Sequence, residues 1–352
     1  MQGFNYPSQP PRVIQIEGND RNYSAWEAEF KKVLNPQVTC VVVILQGQKN
    51  SAPLYNDVKT LLFKTMPVPS QVVLQNTISR GKNVRSIVTK ILIQMNTKIG
   101  GEPWAVSEMP FTNMPTMIIG YDVHHKLKAK SHLAYCATTN RNFTKYWSVF
   151  MQQAEYQEIA DKLQQIVTDS LNAFKNTNGI YPKQLIFFRD GVGEGQKIAI
   201  MKNELVQIKQ ALAAKDKTKD VKILFLMVNK RVKTKLVQAS NGRVQNPQPG
   251  TVLDNSITAD GAYDFYLISQ ATRQGVPTPT HYTVLLDEIK APAQDVYNLT
   301  YKLCYTFYNY SGSVKIPSPV KYADKLAGTM GDRKIDAPHK AWESLGKGLY
   351  FI

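Results

Sequence analysis

The chain has 352 residues, enough for about two domains with a core each, and its 43% apolar and 20% charged residues are ordinary for a soluble globular protein. Its net charge of +16 is not ordinary: 12 Lys+Arg face 7 Asp+Glu in residues 1–110 and 31 face 20 beyond, so the excess is spread along the chain and points to a long polyanionic partner, the alternative being a merely basic protein. Cys40, Cys136 and Cys304 are too few and too scattered for a disulfide framework or a zinc pattern, no apolar run approaches the ~18 residues of a membrane span, and the polar N-terminus has no signal-peptide core, so a reducing compartment and no membrane association are expected.

Residues 1–25 are polar and carry Pro7, Pro10, Pro11 and Gly18, which reads as a linker or the remnant of a missing N-terminal region. Cys40–Leu45 is a buried strand. Tyr55–Phe63 fits a helix with Val58, Leu61 and Leu62 on one face, Gln71–Leu74 a second strand, and Val84–Ile99 an amphipathic helix stopped by Gly100-Gly101. Strand, helix, strand, helix predicts a small parallel α/β unit. A new unit begins near residue 115: Met117–Gly120, Leu133–Thr138 and Tyr146–Met151 are closely spaced strands, an antiparallel meander. Gln157–Phe174 is predicted helical, with Glu158 in its first turn. Leu185–Phe188 is a strand apolar on both faces, ended by Arg189-Asp190 and followed by Gly191, Gly193 and Gly195. A helix to about Ala214 and a strand Ile223–Val228 come next. A meander followed by alternating helices and strands is the order of a ribonuclease H-like sheet. Two more strands, Tyr263–Ser269 and His281–Leu286, a helix around Tyr297–Phe307 and an apolar end, Leu349-Tyr350-Phe351-Ile352, complete the chain.

Asp122 and Asp190 each end a strand, and in the ribonuclease H-like order those strands are neighbours. Convergent carboxylates repel, and a divalent cation with a preference for oxygen, Mg²⁺ or Mn²⁺, makes the arrangement tolerable; two such ions can drive phosphodiester hydrolysis. Asp190 reads equally as a cap of the following helix. Val221–Leu253 contains six basic residues and no acid, so Lys230, Arg231, Lys233 and Lys235 are candidates for nucleic-acid backbone contact, against the alternative of a solvated loop. Tyr55, Lys59, Gln71 and Lys98 sit near the ends of the first unit's elements and offer donors for a terminal phosphate, but spacing alone favours four unrelated surface residues. His124-His125 have no partners at zinc spacing, and GVGEGQ lacks both the P-loop Lys-Ser/Thr and the dinucleotide spacing.

FFRDGVGEGQ (Phe187–Gln196) resembles the Arg-Asp-Gly-Val-x-Glu/Asp-Gly-Gln signature of Argonaute/Piwi proteins, and the likeness continues in IGYDVHH (Ile119–His125), NPQPGTVLD (Asn246–Asp254), YDFYLISQ (Tyr263–Gln270), RQGVPTPTHYTVL (Arg273–Leu285) and the block Tyr301–Ala327, whose form is nearer the Piwi branch. The resemblance implies an α/β chain with a small Rossmann-like MID domain (26–112), which binds the guide 5′ end, followed by a ribonuclease H-like PIWI domain (113–352). The family's N-terminal and PAZ domains are not covered, so a fragment or short form is expected. By resemblance the catalytic tetrad falls on Asp122, Glu158, Asp190 and Asp324, with Asp122, Asp190 and Asp324 as ligands of Mg²⁺ (or Mn²⁺). The fourth position is often His in the family, and Asp324 is a departure that a carboxylate ligand accommodates. The 5′-phosphate pocket falls on Tyr55, Lys59, Gln71, Gln94 and Lys98, with the carboxylate of Ile352 docked nearby. The implied activity is small-guide-RNA binding and silencing, with cleavage of complementary target RNA. The alternative is a slicer-inactive module that loads RNA and recruits silencing-factor proteins. The expected form is a monomer, cytoplasmic and/or nuclear.

Overall fold

The structure, a computed structural model, describes residues 10–16, 23–46, 52–79, 83–125, 130–191, 193–240, 242–258, 260–272, 274–335, 339, 341–344 and 348–352. Much of the stretch read as a linker (1–9 and 17–22) and most of the Lys-rich turn after His125 lie outside the described residues. The N-terminal unit opens with a helix that the linker reading did not anticipate, α1 (Tyr23–Val33), whose Trp26 and Phe30 share a face one turn apart. Strand β1 (Val41–Leu45) pairs in parallel with β2 (Ser70–Leu74), Val43 opposite Val72. The parallel pairing needs a crossover, and α2 (Ala52–Thr60) supplies it, running on as a π-helical turn over Leu61–Thr65. Helices α3 (Gln75–Ser79) and α4 (Val84–Lys98) follow. Phe30, Val43, Leu45, Leu54, Val58, Leu61, Leu62 and Val68 form a core of their own.

An eight-stranded mixed sheet dominates the rest. Its first strands are the meander β3 (Thr116–His124), β4 (Ser131–Thr138) and β5 (Tyr146–Gln153). Helix α5 (Leu163–Asn178) leads to β6 (Gln184–Asp190), which lies parallel to β3 with Tyr121 opposite Arg189. After β6 come the short α6 (Lys197–Ala199), a π-helical turn over Ile200–Glu204, α7 (Leu205–Ala213) and β7 (Lys222–Asn229), parallel to β6. A small hairpin of β8 (Gln238–Ser240) and β9 (Arg243–Gln245) stands apart, and β10 (Thr251–Leu253), β11 (Asp264–Ile268) and β12 (Thr280–Asp287) extend the sheet. The order β10-β11-β12-β7-β6-β3-β4-β5 contains the predicted ribonuclease H-like arrangement of meander plus parallel strands. Helices α5 and α7 cover one face; α8 (Ala293–Leu303) and α9 (Ser318–Asp332) cover the other, and a last turn, α10 (Ala341–Ser344), precedes the apolar end.

Two predicted helices are corrected. The segment predicted helical from Gln157 becomes helical only at Leu163, so Glu158 lies on a loop. Side chains have taken the backbone groups that a helix would use: Gln153 Nε2 donates to Gln157 O (2.7 Å), Arg189 Nη2 to Glu158 O (2.7 Å) and Gln207 Nε2 to Ala160 O (2.8 Å), while Glu204 Oε1 accepts from Ala160 N (2.8 Å). The other, expected around Tyr297–Phe307, starts at Ala293 after Pro292 and ends at Leu303. The helix predicted to Ala214 runs without a break from Lys197 to Ala213, with a π-helical turn inside it that carries the buried Glu204. Helix α9 was missed, although Val320, Ala323, Leu326, Ala327 and Met330 carry the helical spacing that buries it. Its first turn lies directly on β3, where a Cβ on Gly120 would sit 2.2 Å from the Pro319 and Val320 backbone.

The N-terminal unit is braced against the sheet by aromatic residues. Trp342 Nε1 donates to Phe63 O on the π turn (3.0 Å), and its ring stacks on Tyr350 with centroids 4.3 Å apart. Trp104 Nε1 donates to Tyr305 O (2.8 Å), and the hydroxyl of Tyr308 returns a bond to Trp104 O (2.9 Å).

Candidate functional site

Two polar sites, of opposite charge, flank α9. The first lies at the C-terminal edge of β3, β6 and β7, where open α/β sheets place their ligands. The parallel register sets Tyr121 beside Arg189, so Asp122 and Asp190 follow side by side, both buried. Burial and the neighbouring Asp190 push the Asp122 carboxyl up to about 6. Asp190 Oδ1 accepts from Gly191 N (2.8 Å), so the proposed helix-cap role reduces to a bond with the next residue, and the carboxylate faces the site. Gly191, at φ +88°, is required here: a Cβ would lie 2.9 Å from Asp122 Oδ1 and 3.3 Å from Glu158 Oε1. Those two oxygens therefore border one small space. Glu158 Oε1 is buried and accepts no hydrogen bond, though Arg189 Nη2 stands 3.8 Å from it, while Oε2 lies 2.5 Å from His125 Nε2.

The glutamate loop is held from beneath. Arg189 is fully buried, donates to the Asp190 and Glu158 carbonyls, pairs with Glu204 (3.3 Å), and stacks 5.1 Å from the Tyr121 ring centroid. Tyr121 donates to Glu204 Oε2 (2.7 Å). Nothing in the sequence pattern pointed to this network, because its members are up to 83 residues apart.

Asp324, on α9, completes the group. Burial would raise its pKa, but Lys321 (2.7 Å) and Lys230 (3.4 Å) outweigh that and hold the carboxylate below its ordinary range. Lys230 also reaches Asp190 Oδ2 (2.6 Å), so this residue of the basic stretch faces the acids. Arg231, Lys233 and Lys235 are exposed and alternate with half-buried Val232 and Thr234. Among the described residues the acids do not close into a three-ligand cluster. Their chemistry nevertheless fits a hard divalent cation: carboxylate oxygen donors, repulsion between Asp122 and Asp190, a buried Glu158 oxygen that accepts no hydrogen bond, and cations, Lys230 and Lys321, already drawn in.

The second site is a cavity of about 220 Å³ between the N-terminal unit and α9. Tyr55, Lys59, Gln71, Gln94, Lys98 and Ile352 all line it, so the residues that spacing left unrelated are brought together. Lys59 lies in the last turn of α2, Gln71 is the second residue of β2 and Lys98 ends α4, three positions that a parallel crossover collects at one edge of the sheet. Lys59 and Lys98 both donate to Ser70 O (2.9 Å each), and Lys98 also donates to Gln71 Oε1 (2.5 Å), whose amide donates to Gln94 (3.1 Å). Burial, then repulsion from Lys98 and Arg333, lowers the Lys59 pKa far below its usual value; burial lowers Lys98 to about 8. Sequence reasoning missed Asn309, Lys325, Thr329 and Arg333, which enter the same cavity. Lys325 is itself lowered by burial and by Arg333. A buried group of cations bonded to neutral oxygens is a site for an anion.

Residues 40–334 match the Piwi domain family. The chain is 36% identical over 343 residues to Piwi-like protein 1 of Gallus gallus, covering 97% of this chain and 38% of that protein. It superposes on the crystal structure of Drosophila Piwi with a TM-score of 0.83 at 28% identity, over 95% of this chain and 45% of that one. The crystal structure of Kluyveromyces polysporus Argonaute with a guide RNA shares the fold, with a TM-score of 0.79 at 21% identity over 94% of this chain and 41% of that one. The chain thus spans about two fifths of the length of the curated relative it matches. With a Piwi match over most of its length, a ribonuclease H-like sheet and the Arg-Asp-Gly turn at that sheet's acidic edge, the chain belongs to the Argonaute/Piwi family, on its Piwi branch.

Proposed function

We propose that the chain anchors the 5′-phosphate of a small guide RNA in the Lys59–Lys98 cavity and directs cleavage of complementary RNA at the Asp122–Asp190 site. In this reading residues 26–112 act as the MID domain and 113–352 as the PIWI domain. The observation that carries it is the pair of buried ammonium groups, Lys59 and Lys98, sharing Ser70 O in a cavity that Lys325 and Arg333 make more cationic. A terminal phosphate supplies the missing charge there, and a relative of the same fold was crystallised with a guide RNA.

Asp122, Asp190 and Asp324 would hold Mg²⁺ or Mn²⁺, and a bound ion of this kind supplies charge neutralisation and an acidified water at the scissile phosphate. The chain's own groups do the positioning. Arg189 and Glu204 fix the loop that carries Glu158, His125 orients its carboxylate, and Gly191 keeps the adjoining space open. Exposed Arg231, Lys233 and Lys235 offer the backbone contacts. Base pairing between guide and target supplies sequence specificity.

The test is binding of 5′-phosphorylated against 5′-hydroxyl RNA, followed by incubation of the loaded chain with a matched target in Mg²⁺. Phosphate-dependent loading and cleavage that is lost in Asp190→Asn are expected. Equal binding of the two RNAs removes the pocket assignment. Loading without cleavage favours the second reading, a guide-binding module that recruits silencing factors, which the Lys230 contacts to Asp190 and Asp324 also accommodate.

A further inference from the structure

The acidic site contains a cation of its own. Lys230 directly follows β7, and its Nζ lies 2.6 Å from Asp190 Oδ2 and 3.4 Å from Asp324 Oδ1. Its backbone is anchored, because Lys230 O accepts from Lys315 Nζ (2.7 Å). The next basic residues, Arg231, Lys233 and Lys235, face outward, so Lys230 alone of this stretch turns toward the acids.

The cations present serve this group of acids incompletely: Lys321 pairs with Asp324 alone (2.7 Å), and Arg189 Nη2 stands 3.8 Å from Glu158 Oε1. Lys230 is the one that bridges two of the acids, Asp190 and Asp324, while the oxygens of Asp122 and Glu158 border the separate space beside Gly191. A divalent ion carries twice the charge and takes six or more oxygen ligands, so it suits the whole group better than one lysine does. The lysine stem is flexible and its side chain is 26% exposed, so the ammonium has a path to water.

We propose that Lys230 is the resident counter-ion of the acid group: it holds Asp190 and Asp324 together in the metal-free chain and must be displaced when a divalent cation binds. Metal affinity is then set by competition with this side chain, and the freed ammonium moves to the face that carries Arg231, Lys233 and Lys235. The inference rests on reading the acids as a Mg²⁺ or Mn²⁺ site.

The test is Mn²⁺ binding to the purified, nucleic-acid-free chain, followed by electron paramagnetic resonance of the free ion. Wild type should show a site that Asp190→Asn abolishes. Lys230→Gln should bind Mn²⁺ about tenfold more tightly or better, the scale set by removing a unit charge a few ångströms from the ion. Lys230→Arg and the distant Lys222→Gln should stay near wild type. An Asp190-dependent site of equal or weaker affinity in Lys230→Gln overturns the role of Lys230 and leaves the metal reading standing. No Asp190-dependent site in either protein overturns both. A measurement on wild type covers the case of a misfolded variant: acylation of Lys230, read by mass spectrometry, should rise severalfold on addition of Mn²⁺ while that of Lys222 does not. Unchanged labelling of Lys230 at saturating Mn²⁺ also overturns the proposal.

Discussion

Lys98→Met separates what a buried ammonium costs the fold from what it contributes to binding. In the ligand-free chain Nζ donates to Ser70 O and Gln71 Oε1, and burial, with repulsion from Lys325, brings its pKa from the ordinary 10.5 to about 8. At about 1.36 kcal/mol per pKa unit, keeping this lysine charged at pH 7 costs the fold on the order of 3 kcal/mol. Methionine removes that cost. It also removes two hydrogen bonds, but Ser70 O keeps the one from Lys59, so Gln71 Oε1 alone loses its cationic donor, at about 1–3 kcal/mol. The terms nearly cancel, and the melting temperature in phosphate-free buffer should move by no more than about 5 °C. Binding has no such compensation. Loss of one charge-assisted hydrogen bond, about 1.5–3 kcal/mol, should weaken 5′-phosphorylated RNA by roughly 10- to 150-fold and leave 5′-hydroxyl RNA unchanged. Fluorescence anisotropy with the two RNAs gives the ratio directly, and a ratio equal to that of wild type refutes the reasoning. The pH dependence gives a second check. Folding depresses this pKa, so between about pH 8 and 10.5 the unfolded chain holds more protons and ligand-free stability rises with pH, a slope that Lys98→Met should lose. Phosphate affinity runs the other way and should fall above about pH 8 as Lys98 deprotonates.

Glu204→Gln removes the nearer and fully buried carboxylate partner of Arg189, leaving only Glu158 at 3.8 Å, and should cost about 3–5 kcal/mol, read as a fall in denaturation midpoint with little change in m-value. Gly120→Ala drives a Cβ to 2.2 Å from the Pro319 and Val320 backbone, so α9 must shift; about 3 kcal/mol or more is expected, with phosphate binding and cleavage weakened together. Gly191→Ala combines a left-handed φ with a Cβ between Asp122 and Glu158. It should lower Mn²⁺ affinity and cleavage while 5′-phosphate binding stays within about twofold of wild type, because that cavity lies on the other side of α9.

Parts of this architecture were legible in the sequence because they depend on local pattern. Leu185-Ile186-Phe187-Phe188 reads as a strand buried on both faces and is one, and the three short strands before it pair as the predicted meander. The glutamate loop was illegible for the converse reason. Ile159, Leu163 and Ile166 keep helical spacing, yet the backbone at Glu158 and Ala160 is captured by Arg189, Glu204 and Gln207, residues 31 to 47 positions away. The cationic cavity was hidden by its place in the fold. Lysines in the last turns of α2 and α4 are where the helix dipole alone would put them, so Lys59 and Lys98 look ordinary until Ser70 and Arg333 are seen beside them. Placement alone raised a terminal phosphate only as the lesser reading of these residues; the resemblance made it the expected one.

The two sites share one support. Asp324 and Lys321 on α9 meet the acids of β3 and β6, while Lys325 and Thr329 of the same helix, with Arg333 just beyond it, meet the lysines of the N-terminal unit. Burial and then like charge raise the pKa of Asp122 and lower that of Lys59, and on the proposed function a ligand of the opposite sign would relieve each site. A ligand that binds only the folded arrangement stabilises it in proportion to the logarithm of its concentration over Kd. On the proposed function, a 5′-phosphate at Lys325 and Arg333 would hold α9 in place, and with it Asp324. The contact that makes this possible has no charge at all: α9 lies on β3 through Gly120, two residues before Asp122, where only a hydrogen fits.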